Sequence, residues 1–211
     1  NVEEGGTATR LVGRALMSGF YLNELLLRLL HRHDPHPASF HSYDLALRKL
    51  ILLAVPAHPC ATQGCASVVG GRMPETTAHR TWVSCPADDD VTLQQALRIF
   101  EKELFQDIGY GLVLDRDVIT GEPVTAEGMY RYHLEKGPER MECVTATHIA
   151  NTLGIVLHGH TLLGLAHNEL NRGDVLQEAK KLLRKLLAVH LGRQPLRSRE
   201  LYNEMQAIIS T

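Results

Sequence analysis

The stretch from residue 174 to residue 199 restricts the fold of this chain more than any other part of the sequence. Four leucines fall on one side of a helix at about 100° per residue, and four basic residues fall on the other side. The leucines are Leu182, Leu183, Leu186 and Leu187, and the basic residues are Lys180, Lys181, Arg184 and Lys185. Asp174 and Gln177 form a capping-box pattern, and Gly192 stands where a left-handed C-terminal cap belongs. The stretch therefore predicts an amphipathic helix whose leucine side is buried.

Positive charge is concentrated in the same region. Residues 172–199 contain eight lysines and arginines and two acidic residues, a net charge of +6 in a chain whose total is −2. The like-charge pairs Lys180/Arg184 and Lys181/Lys185 each destabilise an isolated helix by roughly 0.2–0.5 kcal/mol, which an anionic partner would offset. Two interpretations remain open: a binding surface for an anionic partner, and the solvated face of an amphipathic helix.

The leucine-rich, aromatic-poor composition favours a mainly α fold, a helical bundle with a small β-hairpin subdomain. The predicted helices cover residues 7–30, 38–54, 91–108, 145–153, 161–170, 174–192 and 195–208. Pro195 suits the first turn of the last helix. The first helix is expected to bury the side that contains Phe20 and Leu27, where Gly19 would allow another element to approach closely. No apolar run is long enough to span a membrane.

Two segments interrupt the helical pattern. Residues 55–90 have no hydrophobic period and are predicted to be a long inserted loop. Residues 112–137 carry turn-forming glycines and proline and are predicted to be a small hairpin subdomain, with a connector over 134–144. The rest, residues 1–54 and 91–211, is expected to form one helical domain.

The sequence lacks the motifs of the common enzyme classes, including the P-loop, the glycine-rich dinucleotide fingerprint and the zinc-protease and serine-hydrolase signatures. We therefore expect no catalytic residues, no cofactor and no metal. A metal-dependent enzyme that uses the histidines of residues 31–36 and the 55–90 loop remains an alternative. His158-Gly159-His160 is more typical of a turn than of a ligand pair. Four irregularly spaced cysteines indicate a reducing cytoplasm rather than a disulfide framework.

Four segments, taken in order, resemble one protein family. They are SGFYLNELLLRLLHRHDPHP (18–37), ALRIFEKELFQDIGYGL (96–112), TGEPV with YRYHLEKG (120–124 and 130–137), and EAKKLLRKLLAVHLGRQPLRSREL (178–201). Each segment is a weak motif alone, but the ordered set is specific. It is similar to the helical C-terminal part of the bacterial RecO family of DNA repair and recombination proteins.

The resemblance implies a non-catalytic mediator of recombination in the RecF pathway. Family members bind single-stranded DNA, anneal complementary strands, and act with RecR to load RecA, and the acidic C-terminal tail of the single-stranded-DNA-binding protein recruits them. The expected location is the cytoplasm, in association with the nucleoid. The N-terminal OB-fold domain of the family is absent from this sequence. Where some members carry a zinc-binding cysteine pair, this chain reads Asp117-Val-Ile-Thr120, so it resembles the zinc-free branch.

The resemblance also suggests site residues. Arg98 of the ALRIFE motif is the expected clamp for the terminal carboxylate of an acidic tail, because its planar fork suits a carboxylate. Lys180 and Arg184 are expected to flank it, with Leu97 and Leu183 as groove walls. The expected DNA contacts are Lys181, Lys185, Arg197 and Arg199. Two alternatives remain open: Arg98 can instead pair with Glu101 on its own helix, and the chain can be a basic helical nucleic-acid-binding domain without peptide docking.

Overall fold

The computed structural model describes residues 11–31, 33–54, 87–141, 154–192 and 194–209. Within these ranges the regular structure is mainly α, as predicted. The helices are α1 (Gly13–Leu29), α2 (Pro37–Ala54), α3 (Ala87–Asp107), α4 (Gly159–His167), α5 (Gly173–Leu191) and α6 (Arg197–Ile209). The strands are β1 (Met129–His133), β2 (Gly137–Arg140) and β3 (Ile155–His158). Within the described residues, no helix is long and apolar enough to cross a membrane.

The helices form one packed bundle whose core is rich in leucine and phenylalanine. Helix α3 lies along α2 on one side and against α5 on the other, while α1 contacts α2 and α6. The leucine side of α5 is buried as predicted, and its four leucines are at most 2% exposed. Their burial removes a continuous apolar stripe from water, which is the main stabilisation available to a surface helix.

Helix α1 buries a side that overlaps only in part with the wide apolar stripe predicted for it. Ala15 and Gly19 of that stripe are buried, as predicted. Leu22 and Leu25, outside the stripe, are fully buried, whereas Phe20 is 46% exposed and Leu27 is 83% exposed. The prediction was wrong for these residues because α1 is apolar around most of its circumference, so periodicity alone did not select a face. Gly19 is buried, and a Cβ there would lie 3.0 Å from Leu11 Cδ1, so the close neighbour is the segment directly before the helix.

The start of α5 also differs from the prediction. Arg172 occupies the N-cap position and its side chain caps no backbone N–H of the helix, so the capping box at Asp174 does not form. Asp174 lies in the first turn instead, where its carboxylate accepts hydrogen bonds from the Arg172 guanidinium at 2.6 and 3.1 Å. Gly192 ends the helix with a positive φ of 71°, as expected, although its ψ of −156° lies outside the left-handed helical region.

A clasp from α1 fixes the connection between α5 and α6. The Glu24 carboxylate accepts hydrogen bonds from the backbone N–H groups of Arg197 and Ser198, both at 2.9 Å, and from the Ser198 hydroxyl. Arg28 donates to the backbone carbonyls of Leu191, Gln194 and Pro195. Helix α6 therefore begins after Pro195 rather than at it, since a carboxylate from another helix caps its first N–H groups.

The predicted hairpin lies further along the chain than expected. Strand β1 is central and pairs antiparallel with both β2 and β3, giving the order β2-β1-β3. Within residues 112–128 the described β pairing is a single bridge between Arg116 and Pro123. The expected connector contains β2, and β3 was not predicted. The last four residues of the expected 55–90 loop belong to α3. Its remainder, the start of the expected first helix and the expected helix at 145–153 lie outside the described residues.

The Asp117 side chain organises the turn at residues 117–120. Its carboxylate accepts backbone N–H bonds from Ile119 at 2.6 Å, Thr120 at 3.0 Å and Arg140 at 2.7 Å. Asp117 is only 3% exposed, and the bond to Arg140 ties the turn to the end of β2. A buried, hydrogen-bonded carboxylate thus joins two segments of the chain.

Candidate partner-binding site on the basic helix

Arg98 lies on the side of α3 that faces the bundle. The guanidinium is almost completely buried, and its Nη2 lies 2.8 Å from Glu101 Oε1 on the same helix. This is the ion pair that the sequence left open as the alternative role of Arg98. The pair uses one nitrogen and one oxygen atom. Arg98 Nε and Glu101 Oε2 are both buried, and neither has a hydrogen-bond partner in the described structure. Arg98 is therefore not a free surface clamp.

Glu101 is a fully buried carboxylate in the middle of the bundle. Tyr21 of α1 donates its hydroxyl proton to Glu101 Oε1, the same oxygen that Arg98 contacts. Burial raises the pKa of Glu101, and the positive charges of Arg98, Arg199 and Lys180 oppose that increase. One carboxylate is thus close enough to interact with basic residues from α3, α5 and α6.

Lys180 of α5 is half-buried beside this carboxylate. Burial lowers the pKa of Lys180, the neighbouring charges of Arg98 and Arg184 lower it further, and Asp90 and Glu101 oppose the change. Asp90 itself contacts Arg14 at 2.5 Å. The basic residues therefore outnumber the carboxylates available to neutralise them. We call Arg98, Lys180, Arg184 and Arg199 the basic cluster.

The expected groove walls are not exposed. Leu97 is 6% exposed and Leu183 is fully buried, and both belong to the hydrophobic core of the bundle. Neither leucine can line an open groove in this structure, so that expectation was wrong. The structure brings together the predicted basic residues but not the predicted apolar ones.

The four predicted DNA contacts lie in different parts of the bundle, and two of them are neighbours. Lys181 and Lys185 are exposed on the outer side of α5. Arg197 is exposed at the start of α6 and lines a cavity of about 330 Å³ with Leu201 and two glutamates, Glu200 and Glu204. Arg199 belongs to the basic cluster through its interaction with Glu101. Lys181 and Lys185 are thus the predicted DNA contacts that lie together on one exposed helix side.

The two histidines of His158-Gly159-His160 stack with ring centroids 5.0 Å apart where β3 passes into α4. Glu178 of α5 accepts bonds from the His158 backbone N–H at 3.0 Å and the Thr161 hydroxyl at 2.7 Å. Burial raises the pKa of Glu178, but these hydrogen bonds outweigh it and the net pKa is lowered. The junction ties β3 to α5.

Within the described residues, no group of three metal-ligand side chains lies close enough to hold an ion.

Comparisons with known proteins agree with this architecture. Residues 87–200 match the family model described as "Recombination protein O C terminal". The chain is 39% identical to the DNA repair protein RecO of Alkalilimnicola ehrlichii and 38% identical to that of Nitrosococcus oceani, covering 96% and 98% of this chain. It covers 64% and 66% of those two proteins, and 69% of the Halorhodospira halophila protein, to which it is 35% identical. The chain thus spans about two thirds of the length of these relatives.

These matches place the chain in the class of DNA repair and recombination proteins. Within that class the chain belongs to the RecO family, as the four sequence segments suggested.

Sequence reasoning missed the residues that organise the basic cluster. Glu101 was considered only as a local partner of Arg98, and no role was predicted for Tyr21. Tyr21 and Glu101 are 80 residues apart, so no helical spacing relates them. The available signal was a glutamate between Phe100 and Leu104 on the apolar side of a helix, because an acid at such a position is rarely buried without a partner.

Proposed function

We propose that this chain is the part of a RecO-family protein that receives the acidic C-terminal tail of the single-stranded-DNA-binding protein. The observation that carries the proposal is the buried ion pair of Arg98 and Glu101, 2.8 Å apart, on the helix that contacts the basic helix α5. The charges of Lys180 on α5 and Arg199 on α6 also act on this carboxylate. A partly desolvated cluster with excess positive charge favours an anionic partner, since charge interactions strengthen as water is excluded. Arg184 is exposed and Lys180 and Arg199 are partly exposed, whereas Arg98 is buried.

Lys180→Ala tests the proposal directly. A fluorescent peptide of acidic residues with a C-terminal Phe would be titrated against the wild type and the variant by anisotropy. We expect Lys180→Ala to weaken binding about tenfold, which corresponds to about 1.4 kcal/mol. Lys185→Ala is the matched control, because it removes the same charge from the exposed side of the same helix. Equal effects of the two substitutions would mean that the peptide senses net charge and not the basic cluster.

A second peptide with an amidated C-terminus separates recognition of the terminal carboxylate from recognition of the acidic side chains. Amidation removes one negative charge and the planar group that an arginine binds with two hydrogen bonds. We expect weaker binding of the amidated peptide to the wild type and a smaller difference between the two peptides for Lys180→Ala. No saturable binding of either peptide to the wild type would refute the docking function.

The wider role proposed here follows family membership. The chain would act in homologous recombination and DNA repair as a non-catalytic mediator without a cofactor, together with RecR and single-stranded DNA. Its contribution to strand annealing and RecA loading would be to bring coated single strands to the assembly. The expected location is the cytoplasm, at the nucleoid.

DNA binding without peptide docking is the second candidate function, and the exposure of Lys181 and Lys185 side by side on α5 favours it. Each phosphate contact contributes about 0.7 to the slope of log affinity against log salt for a single strand. Replacing both lysines by alanine is expected to reduce that slope by about 1.4 for an oligothymidine. An unchanged slope would exclude this helix side as the DNA contact.

A further inference from the structure

A buried carboxylate at Glu101 is an unusual component of a helical core. The side chain is fully buried, and the bundle around it is built from leucine and phenylalanine. Buried ion pairs add little net stability, since well-packed apolar residues of similar volume are often as stabilising. The position of Glu101 therefore calls for a reason other than packing.

One of the two carboxylate oxygens of Glu101 has no hydrogen-bond partner in the described structure. Tyr21 and Arg98 both use Oε1, while Oε2 is buried without a hydrogen-bond partner in the described structure. Arg98 Nε is likewise buried and unpartnered. Arginine and carboxylate side chains commonly form two parallel hydrogen bonds, so a pair that served only to neutralise charge would be expected to use both oxygens. The guanidinium charge is thus held in place without being fully neutralised.

Basic residues from different helices repel each other unless a negative charge lies among them. Arg98 belongs to α3, Lys180 to α5 and Arg199 to α6. The positive charges of all three act on Glu101, and Arg98, which lies 2.8 Å from its carboxylate, has the largest effect. Among the described residues, the other carboxylate that acts on Lys180 is Asp90, which already contacts Arg14 at 2.5 Å. Glu101 is therefore the carboxylate in direct contact with the buried member of the cluster.

We propose that Glu101 is the positioning residue of the basic cluster: it never contacts the partner, and it holds the buried guanidinium of Arg98 in one position, from which the charge of Arg98 adds to the anion-binding surface. This inference rests on the proposed docking function. It makes a prediction opposite to that of net charge. Removing the negative charge of Glu101 makes the surface more positive and yet weakens binding of an acidic peptide, because the Arg98 guanidinium is no longer held in place.

Glu101→Gln is the decisive variant, because it keeps the shape and an oxygen acceptor for Tyr21 and Arg98. We expect about fivefold weaker binding of the acidic peptide that ends in Phe. Glu103→Gln is the matched control, since it removes the same charge from the same helix at a residue that contacts Ser42 of α2 instead. Affinity equal to the wild type or higher for Glu101→Gln would overturn the inference.

A double-mutant cycle separates positioning from general structural damage. In an Arg98→Ala background, Glu101→Gln is expected to have little further effect on affinity, because the residue through which it acts is gone. An undiminished effect in that background would overturn the inference. If Glu101→Gln does not fold, Tyr21→Phe replaces it, since this variant removes a hydrogen bond to Glu101 without changing any charge. About twofold weaker binding is expected for Tyr21→Phe, and an unchanged affinity would count against Glu101.

A measurement on the free protein distinguishes failure of this inference from failure of the docking function. The NMR signal of Arg98 Nε–H is expected to be sharp and slowly exchanging in the wild type and to broaden or exchange rapidly in Glu101→Gln. A wild type that binds no peptide but shows this difference would refute docking and retain the positioning role. A signal identical in both proteins would refute the positioning role, whatever the peptide does.

Discussion

Replacing Asp117 with asparagine is expected to destabilise the whole fold, although the change is nearly isosteric. The carboxylate accepts three backbone N–H bonds and joins the turn at residues 117–120 to β2. In Asp117→Asn one oxygen remains for Ile119 and Thr120, but without the negative charge. The amide group that replaces the other oxygen places its own N–H groups against the Arg140 N–H.

The magnitude follows from these three contacts. Hydrogen bonds to a charged acceptor contribute about 1.5–3 kcal/mol each, and neutral ones contribute about 0.5–1.5 kcal/mol. Two bonds would each lose about 1 kcal/mol, and a third would leave a buried N–H unpaired at a cost of about 1–3 kcal/mol. The expected loss is therefore about 3–5 kcal/mol of the free energy of unfolding, a large part of the roughly 5–15 kcal/mol typical of a folded protein.

Urea unfolding followed by circular dichroism would measure the loss. Asp115→Asn is the control, because Asp115 is exposed, lies two residues away, and its carboxylate pairs with the exposed side chain of the neighbouring Arg116. We expect the control to change stability by less than about 0.5 kcal/mol. If Asp117→Asn matched the control, the carboxylate would not be what joins the turn to β2.

The pH dependence gives a second check. Burial raises the pKa of Asp117, but the bonds from Thr120, Arg140 and Ile119 outweigh burial, and the net pKa is lowered. A carboxyl group with a lowered folded-state pKa contributes stability above its unfolded pKa of about 3.9, and that contribution is lost as pH falls through the folded-state value. The difference between wild type and Asp117→Asn should therefore be constant near neutral pH and shrink below about pH 4. A difference that grew on acidification would contradict the reasoning.

Two further predictions concern helix starts. Gly159→Ala should be severely destabilising in thermal unfolding, because a Cβ there would lie 1.9 Å from the Thr125 carbonyl oxygen. Gly173→Ala is the control: a Cβ there would have no atom within 4 Å, so the substitution should be neutral or stabilising by up to about 1 kcal/mol. Equal effects of the two substitutions would contradict the close approach at Gly159. Glu24→Gln should reduce the free energy of unfolding by about 1–2 kcal/mol, because it weakens the cap on α6. Since hydrogen bonds from Ser198 and Arg197 outweigh burial and lower the pKa of Glu24, this loss should also disappear in acid, which urea titrations at several pH values would reveal.

The fold could be predicted from sequence wherever one helix side was clearly apolar and the other clearly charged. Helix α5 satisfied that condition, so its extent and its buried leucines were predicted correctly. Helix α1 did not, because leucine occurs on several of its sides, and the choice between Leu22 and Leu27 depended on which helices packed against it. Strand β3 is four residues long and runs directly into α4, so the pattern gave it no separate signal.

The candidate site was predictable in part for the same physical reason. Charge concentrated in α5 predicted a site for an anionic partner there, and the resemblance indicated Arg98. The resemblance assigned Leu97 and Leu183 to groove walls, whereas both are buried in the core, and for Leu183 the helical periodicity had already predicted that burial. The contacts of Glu101 were out of reach, since Tyr21, which donates a hydrogen bond to it, lies 80 residues away in the sequence.

The clasp between α1 and the start of α6 has a consequence for synthesis. Glu24 and Ser198 are 174 residues apart, so a ribosome that adds about 5–20 residues per second needs roughly 9–35 s between them. During that interval α1 can pack on α2 and α3, but its contacts with α6 cannot form. Until α6 has been synthesised, the nascent domain therefore lacks the contacts between α1 and α6. Those contacts complete the packing of α1. Truncation just before residue 197 should accordingly give a product that chaperones retain and proteases remove.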